Sequence, residues 1–347
     1  MKNVLVLEFS GLGNALLSTQ LIENLSSHNN VDIVTNSQVI YDLFKNCQFV
    51  RHIILSRIKI SFKYLFNPVN IFDIFREILN IRHESYDIVI SPFPSARNPL
   101  VIFSKAKMKI AHNYKKIDFN THKTDIKRTH DFFQNLNLLN SLNITPARKS
   151  QNFWFTKEEI NFAKNYLAKN KIKGKILGVH PGSSGGKAMK IKRWPLENFN
   201  KIIKYLTQKE KFKVLVFLGP EEKELEKHVA KNKQIFIVKN LNIRQTAALI
   251  SHCNYFISND SGLMHLASML NIPVLAIFGS TDPTRTSPIG SHILVHSKIK
   301  CAPCQTLTRL GKPFRCVYRS PLCMKSIGFE EVLKGFRNLT SKHKSNA

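Results

Sequence analysis

The stretch Ser258–Gly279, SNDSGLMHLASMLNIPVLAIFG, decides the fold. Tyr255-Phe256-Ile257 before it reads as the end of a strand. Asn259, Asp260, Ser261 and Gly262 are turn and helix-start residues, and Leu263, Leu266, Ala267 and Leu270 recur at helical spacing. Ile272–Phe278 is a second buried strand, closed by Gly279. A polar turn between a strand and a helix in an open parallel sheet lies where such sheets bind ligands. The first helical turn leaves N–H groups unpaired and carries partial positive charge, which suits an anion. His265 falls in that turn. A plainer reading makes Asp260 or Ser261 a simple helix cap and His265 a partly buried polar residue.

Outward from this stretch the same alternation fills the chain. Strand signals at 4–9, 31–35, 53–55, 86–90 and 108–111 are separated by helical stretches, and after a less regular middle the pattern restarts. Strands at 175–180, 213–218 and 234–238 then alternate with helices at 195–206, 221–229 and 243–250. The expected class is α/β: two Rossmann-like, doubly wound domains. The boundary is expected within 150–175, giving domains 1–165 and 166–347. The 347 residues suit two domains, and 43% hydrophobic residues are enough for two cores. No apolar run reaches membrane-spanning length and no signal peptide is visible, so a cytoplasmic protein is expected. The net charge of +29 is spread over both halves: residues 1–170 hold 22 basic and 13 acidic residues, residues 171–347 hold 30 and 10. Nucleic acid, anionic headgroups and phosphorylated substrates all fit such a field, as does a Lys-rich compositional bias.

Ser10-Gly11-Leu12-Gly13 opens a helix after the first strand, but Leu16 stands where a dinucleotide fingerprint needs its third glycine. Asn36 ends the second strand instead of an acid, so a nicotinamide or flavin cofactor is not expected. Gly182-Ser183-Ser184-Gly185-Gly186-Lys187 lacks P-loop spacing, and Ala188 replaces the Mg²⁺-binding hydroxyl. With Lys190, Lys192 and Arg193 behind it, the loop can still hold a diphosphate through N–H groups, hydroxyls and cations. Glu221 and Glu222, after Gly219-Pro220, are either helix-start acids or acceptors for ribose hydroxyls. Cys301, Cys304, Cys316 and Cys323 have a spacing that could wrap a structural zinc, with free thiols the preferred reading. A basic stretch from Arg97 to Arg128 carries nine Lys/Arg against Asp118 and Asp125. It could receive an anionic acceptor or form a solvated surface.

Taken together, VLVLEFSGLGNALLSTQLIENL, LGVHPGSS, KRWPLENFNKII, FLGPEE and FISNDSGLMHLASMLNIPVLAIFG, with the C-x-P-C segment, resemble family 9 glycosyltransferases, the lipopolysaccharide heptosyltransferase type. The resemblance implies a GT-B fold, with the last helix able to return to the first domain. It also implies inverting, metal-independent transfer from a nucleotide-diphosphate sugar such as ADP-heptose, with no cofactor. In that frame Ser183, Ser184 and Lys192 meet the diphosphate, and Glu221 or Glu222 meets the ribose. Asp260, Ser261, Gly262 and His265 hold donor phosphates and sugar. The acceptor is a lipid-linked or phosphorylated glycan at the inner, anionic membrane surface, and no nucleic-acid partner is expected.

One departure stands out. The family turn usually carries an Asp, thought to be the general base, where this chain has Asn14, and an amide does not take a proton at neutral pH. Three outcomes follow. Glu8 or another carboxylate replaces the base; transfer runs on leaving-group stabilisation with Asn14 orienting the acceptor; or the protein binds a sugar nucleotide without turning it over. A GT-B-like epimerase is the further enzymatic alternative.

Overall fold

The computed structural model describes residues 1–58, 68–93, 100–101, 104–112, 121–124, 129–147, 153–183, 187–305, 316–318 and 320–344. By internal contacts the chain divides into Met1–Ser150 and Gln151–Ala347.

The first unit is a six-stranded parallel sheet: β1 (Lys2–Leu7), β2 (Asn29–Thr35), β3 (His52–Leu55), β4 (Ile88–Ser91), β5 (Met108–His112) and β6 (His122–Thr124), in the order β3-β2-β1-β4-β5-β6. Val4–Leu7 and Ile88–Ile90 are wholly buried, as strands covered on both faces must be, and this is why they read as unbroken apolar runs. The strand order reverses between β1 and β4. β6 has no apolar run of its own and is found only by its pairing with β5. Of the expected helix near residue 100, only Leu100 and Val101 are described, and most of the basic stretch 97–128 lies outside the described residues.

The second unit repeats the plan with β7 (Ile176–His180), β8 (Lys213–Phe217), β9 (Ile235–Val238), β10 (Tyr255–Asn259), β11 (Val274–Phe278) and β12 (His292–His296). Their order is β12-β11-β10-β7-β8-β9, all parallel, with the reversal between β7 and β10. Both units thus have the mononucleotide-binding strand order of the Rossmann class. The helix Leu196–Gln208 buries Phe199, Ile202, Ile203 and Leu206 in the core of this unit. Each such side chain contributes about 1.5–3 kcal/mol of hydrophobic free energy. The segment expected as a helix at 221–229 forms a 3-10 helix, Pro220–His228.

Two details show where the units divide. The helix Lys157–Lys169 belongs to the second unit. Its start is fixed by a capping box between Thr156 and Glu159, and Glu159 Oε2 accepts at 2.8 Å from the buried guanidinium of Arg244 on the helix Ile243–Ile250. The last helix, Phe329–Lys344, packs on β11, β12 and Leu196–Gln208 of its own unit, with Val332, Leu333, Phe336 and Leu339 in the core there.

Candidate functional site

The loops after β7 and β10 lie side by side at the reversal of the second sheet, since His180 and Ser258 are register partners. Ser261 is the N-cap of the helix Gly262–Met269, and its Oγ accepts from Met264 N at 3.3 Å. The same oxygen lies 2.9 Å from His180 Nδ1 and 3.0 Å from Ser258 Oγ, while Ser258 Oγ donates to Asn259 O at 2.8 Å. With all these bonds made, each hydroxyl has one direction to donate. Ser261 donates to Ser258, so His180 must be the Nδ1–H donor to Ser261. Burial, with the neighbouring Arg193 charge, pushes the His180 pKa down to about 3, so the ring is neutral as that network requires.

Asp260 follows β10 and is buried. Lys192, at the end of the 3-10 helix Lys187–Lys192, donates from Nζ to Asp260 Oδ2 at 2.7 Å. Burial alone would raise the Asp260 pKa. The Lys192 ammonium outweighs it and holds the carboxyl below its ordinary value, with the nearby His265 acting the same way. His265 is itself buried in the first turn of the helix. The pair brings the K-R-W-P and D-S-G segments together, 68 residues apart in sequence.

Asn259 is the residue to which sequence reading assigned no role beyond a turn. Its Nδ2 donates to Pro181 O at 2.8 Å and to Gly182 O at 3.0 Å, and its Oδ1 accepts from Trp194 N at 3.0 Å. One buried amide therefore fixes both neighbouring loops to the end of β10. The Trp194 indole donates to Ile327 O at 2.9 Å, which anchors the same segment on the C-terminal side. The only signal in the sequence is an Asn at a strand end, a type and place that usually mark a turn.

Glu222 is buried, and both its oxygens are engaged by protein donors. Oε2 accepts from Gly219 N at 2.9 Å; Oε1 accepts from Ser183 N at 3.3 Å and from Arg193 Nη2 at 3.1 Å. Burial raises its pKa despite the Arg193 charge. Gly182 makes this approach possible: a Cβ there would lie 2.5 Å from the Glu222 side chain. Glu221, beside it, is exposed. Ser183 Oγ donates to Met189 O at 2.9 Å and accepts from Arg193 Nε at 3.2 Å, while Ser184 lies outside the described residues. Ser183, Lys192, Glu222, Asp260, Ser261, Gly262 and His265 thus gather on the two loops at the sheet reversal and the segments tied to them.

In the first unit, Glu8 follows β1 directly and is wholly buried. Its carboxylate accepts from Ser18 Oγ, and from Ser10 Oγ at 3.3 Å. Burial dominates these bonds and raises its pKa to about 7. Asn14 sits half-buried in the short helix Leu12–Leu17 that starts after Gly11. Cys301, Cys304, Cys316 and Cys323 line one cavity of about 30 Å³ and none of them is in a disulfide. Burial first, and then the neighbouring cysteines, raise the Cys323 pKa. Among the described residues no group of three or more His, Cys, Asp or Glu side chains is placed to hold a metal ion.

Two Rossmann-like units, one with an anion-ready pair of loops at its strand reversal, have the architecture of the GT-B class. Residues 74–314 match the model of glycosyltransferase family 9 (heptosyltransferase). The chain is 32% identical over 278 residues to lipooligosaccharide heptosyltransferase 2 of Campylobacter jejuni, covering 77% of this chain and 80% of that one. In fold it is similar to the family 9 glycosyltransferase of Veillonella parvula, with TM-score 0.80, 20% identity and 98% of each chain covered. It is also similar to the E. coli ADP-heptose lps heptosyltransferase II, with TM-score 0.75, 17% identity, and 99% and 100% covered. The chain belongs to glycosyltransferase family 9 and is a glycosyltransferase.

Proposed function

We propose that this enzyme transfers a heptose from ADP-heptose, with inversion at the anomeric carbon, to the core of a lipopolysaccharide or lipooligosaccharide at the inner face of the cytoplasmic membrane. The observation that carries the reading is the Lys192–Asp260 pair at the strand reversal of the second unit, beside the capped N-terminus of Gly262–Met269. When the glycosidic bond breaks, negative charge grows on the diphosphate. A preorganised ammonium and unpaired N–H groups stabilise that charge without reorganising. In this reading they do so without a divalent metal. Asp260 orients Lys192, Ser183 shapes its loop through its bonds to Met189 O and Glu222, and Ser184 with the backbone N–H groups of Ser261 and Gly262 supplies donors to phosphate oxygens. His265 faces the same anion or the sugar. Glu222 is occupied by the loops it joins, so the exposed Glu221 is the carboxylate assigned to the ribose hydroxyls.

The acceptor hydroxyl must lose a proton as it attacks. Asn14 cannot take it, and Glu8, with a pKa raised to about 7, is matched to the task. Ser10 Oγ donates to Glu8, so the relay runs from acceptor hydroxyl to Ser10 and from Ser10 to Glu8. Asn14 orients the acceptor through its amide. C. jejuni lipooligosaccharide heptosyltransferase 2 and E. coli ADP-heptose lps heptosyltransferase II support heptose as the sugar and ADP as the carrier. A thermal-shift series with ADP-, GDP- and UDP-sugars, followed by turnover on envelope extract, tests the reading. ADP-heptose is expected to give the largest stabilisation. Equal shifts for all three nucleotides, or none, contradict the assignment of the donor.

A further inference from the structure

Among the described residues, five of the thirteen exposed large hydrophobic side chains lie on one 16-residue helix, Pro68–His83. Val69, Phe72 and Phe75 are 69%, 63% and 60% exposed, with Ile71 and Leu79 beside them. At 100° per residue these five fall on one arc. The opposite arc, with Ile78, Ile81, Asn70 and Glu77, is the side buried in the first unit. The helix therefore has two apolar faces, and only one is used by the fold.

The charges around the open face have one sign. Arg76 and Arg82 project within the same arc. The two carboxylates of the helix lie off it: Asp73 is paired with Arg76 at 2.9 Å, and Glu77 is buried and accepts from Arg57 N at 2.9 Å. An apolar strip flanked by cations, on a chain of net charge +29, is complementary to an anionic lipid surface and repels a second copy of itself. Among the described residues no helix is long and apolar enough to cross a membrane, and this one spans roughly 24 Å, so it can lie only in the plane of the interface.

We propose that Pro68–His83 is the membrane-docking element of this enzyme, with Phe72 and Phe75 inserted among the acyl chains of an anionic leaflet and Arg76 and Arg82 at the headgroups. The proposal rests on the peripheral-membrane part of the function above and names the surface responsible. Docking there would hold the first unit at the leaflet that carries a lipid-linked acceptor.

The test is cosedimentation of the full chain with vesicles of phosphatidylglycerol and phosphatidylcholine in equal parts. Binding by the parent is expected, roughly tenfold weaker with phosphatidylcholine alone, and at least about tenfold weaker for Phe72→Ser/Phe75→Ser. Both side chains are exposed, so that variant should keep its circular dichroism and its turnover on a water-soluble, deacylated acceptor. In a Phe75→Trp variant, brominated lipid should quench the new emission. A double serine variant that binds as tightly as the parent excludes this helix while leaving the membrane reading intact. A parent that binds no vesicle overturns both. A parent that sediments as a dimer, with the double variant a monomer and neither on vesicles, makes the face a homotypic contact and overturns the proposal. Turnover on the soluble acceptor separates all of these from failure of the transferase reading itself.

Discussion

Glu8→Gln tests the proton-acceptor assignment through two independent readouts. In the unfolded chain this glutamate ionises near 4.5, and in the fold burial raises the value to about 7. Between those two values the unfolded state releases a proton that the folded state keeps. Folding stability therefore falls as pH rises from 4.5 to 7 and levels off above it. A shift of that size corresponds to about 3 kcal/mol. Glutamine cannot ionise, and its carbonyl still accepts from Ser18. Relative to the parent, the variant should thus gain up to about 3 kcal/mol between about pH 5 and about pH 8, read from urea midpoints followed by far-ultraviolet circular dichroism. Activity should move the other way. The parent's kcat/KM should rise through pH 7, and Glu8→Gln should be at least about 100-fold slower with that rise removed. Parent and variant stabilities that stay parallel across the range would refute the raised pKa. Unchanged kcat/KM would refute Glu8 as the base.

Other perturbations test the second unit and the turn after β1. Lys192→Met leaves Asp260 buried without its ammonium, and should cost about 3 kcal/mol in urea unfolding and at least about tenfold in ADP affinity by calorimetry. Because Asp260 is held below its ordinary pKa in the parent, the stability it contributes is present above 3.8 and lost as pH falls; the variant should lack that acid dependence. Gly182→Ala drives a methyl into Glu222 and should destabilise by about 1–3 kcal/mol, with nucleotide affinity falling as the Ser183 loop is displaced. Asn259→Ala leaves Trp194 N and two carbonyls without their partner, a loss of about 3 kcal/mol measured by the same unfolding assay. Asn14→Asp should not raise turnover if Glu8 is the base, since it only removes the orienting amide; a rise would mean that the chain lacks a base.

The two sheets were legible because their central strands are covered on both faces and leave continuous apolar runs such as Val4–Leu7 and Val274–Phe278. Two of the four edge strands were not: β6 is three residues long and defined by its pairing, and β12 begins and ends on histidine, whereas the edge strands β3 and β9 were read from their apolar residues. The division falls at the N-terminal edge of the expected 150–175 window, and its place within that window was not legible for a similar reason. What ties Lys157–Lys169 to the second unit is the Glu159–Arg244 bond, 85 residues apart, which no local pattern reveals. In the site, the charged and hydroxyl residues were readable by type and loop, because helix starts and Gly-rich turns announce themselves. Their division of labour was not readable. Glu221 and Glu222 are neighbours of equal chemistry in the sequence, and only packing shows that Glu222 is consumed inside the loops. Asn259 and His180, which hold those loops in place, act through bonds to segments distant in the chain.

The central claim is transfer of heptose from a nucleotide diphosphate. It is tested most directly by incubating the enzyme with ADP-heptose and envelope glycolipid from a heptose-deficient strain, then weighing the glycolipid by mass spectrometry. The account predicts a gain of one heptose per acceptor with one ADP released, absent in Lys192→Met. ADP-heptose that is bound but left intact, or altered without any gain in acceptor mass, would contradict it.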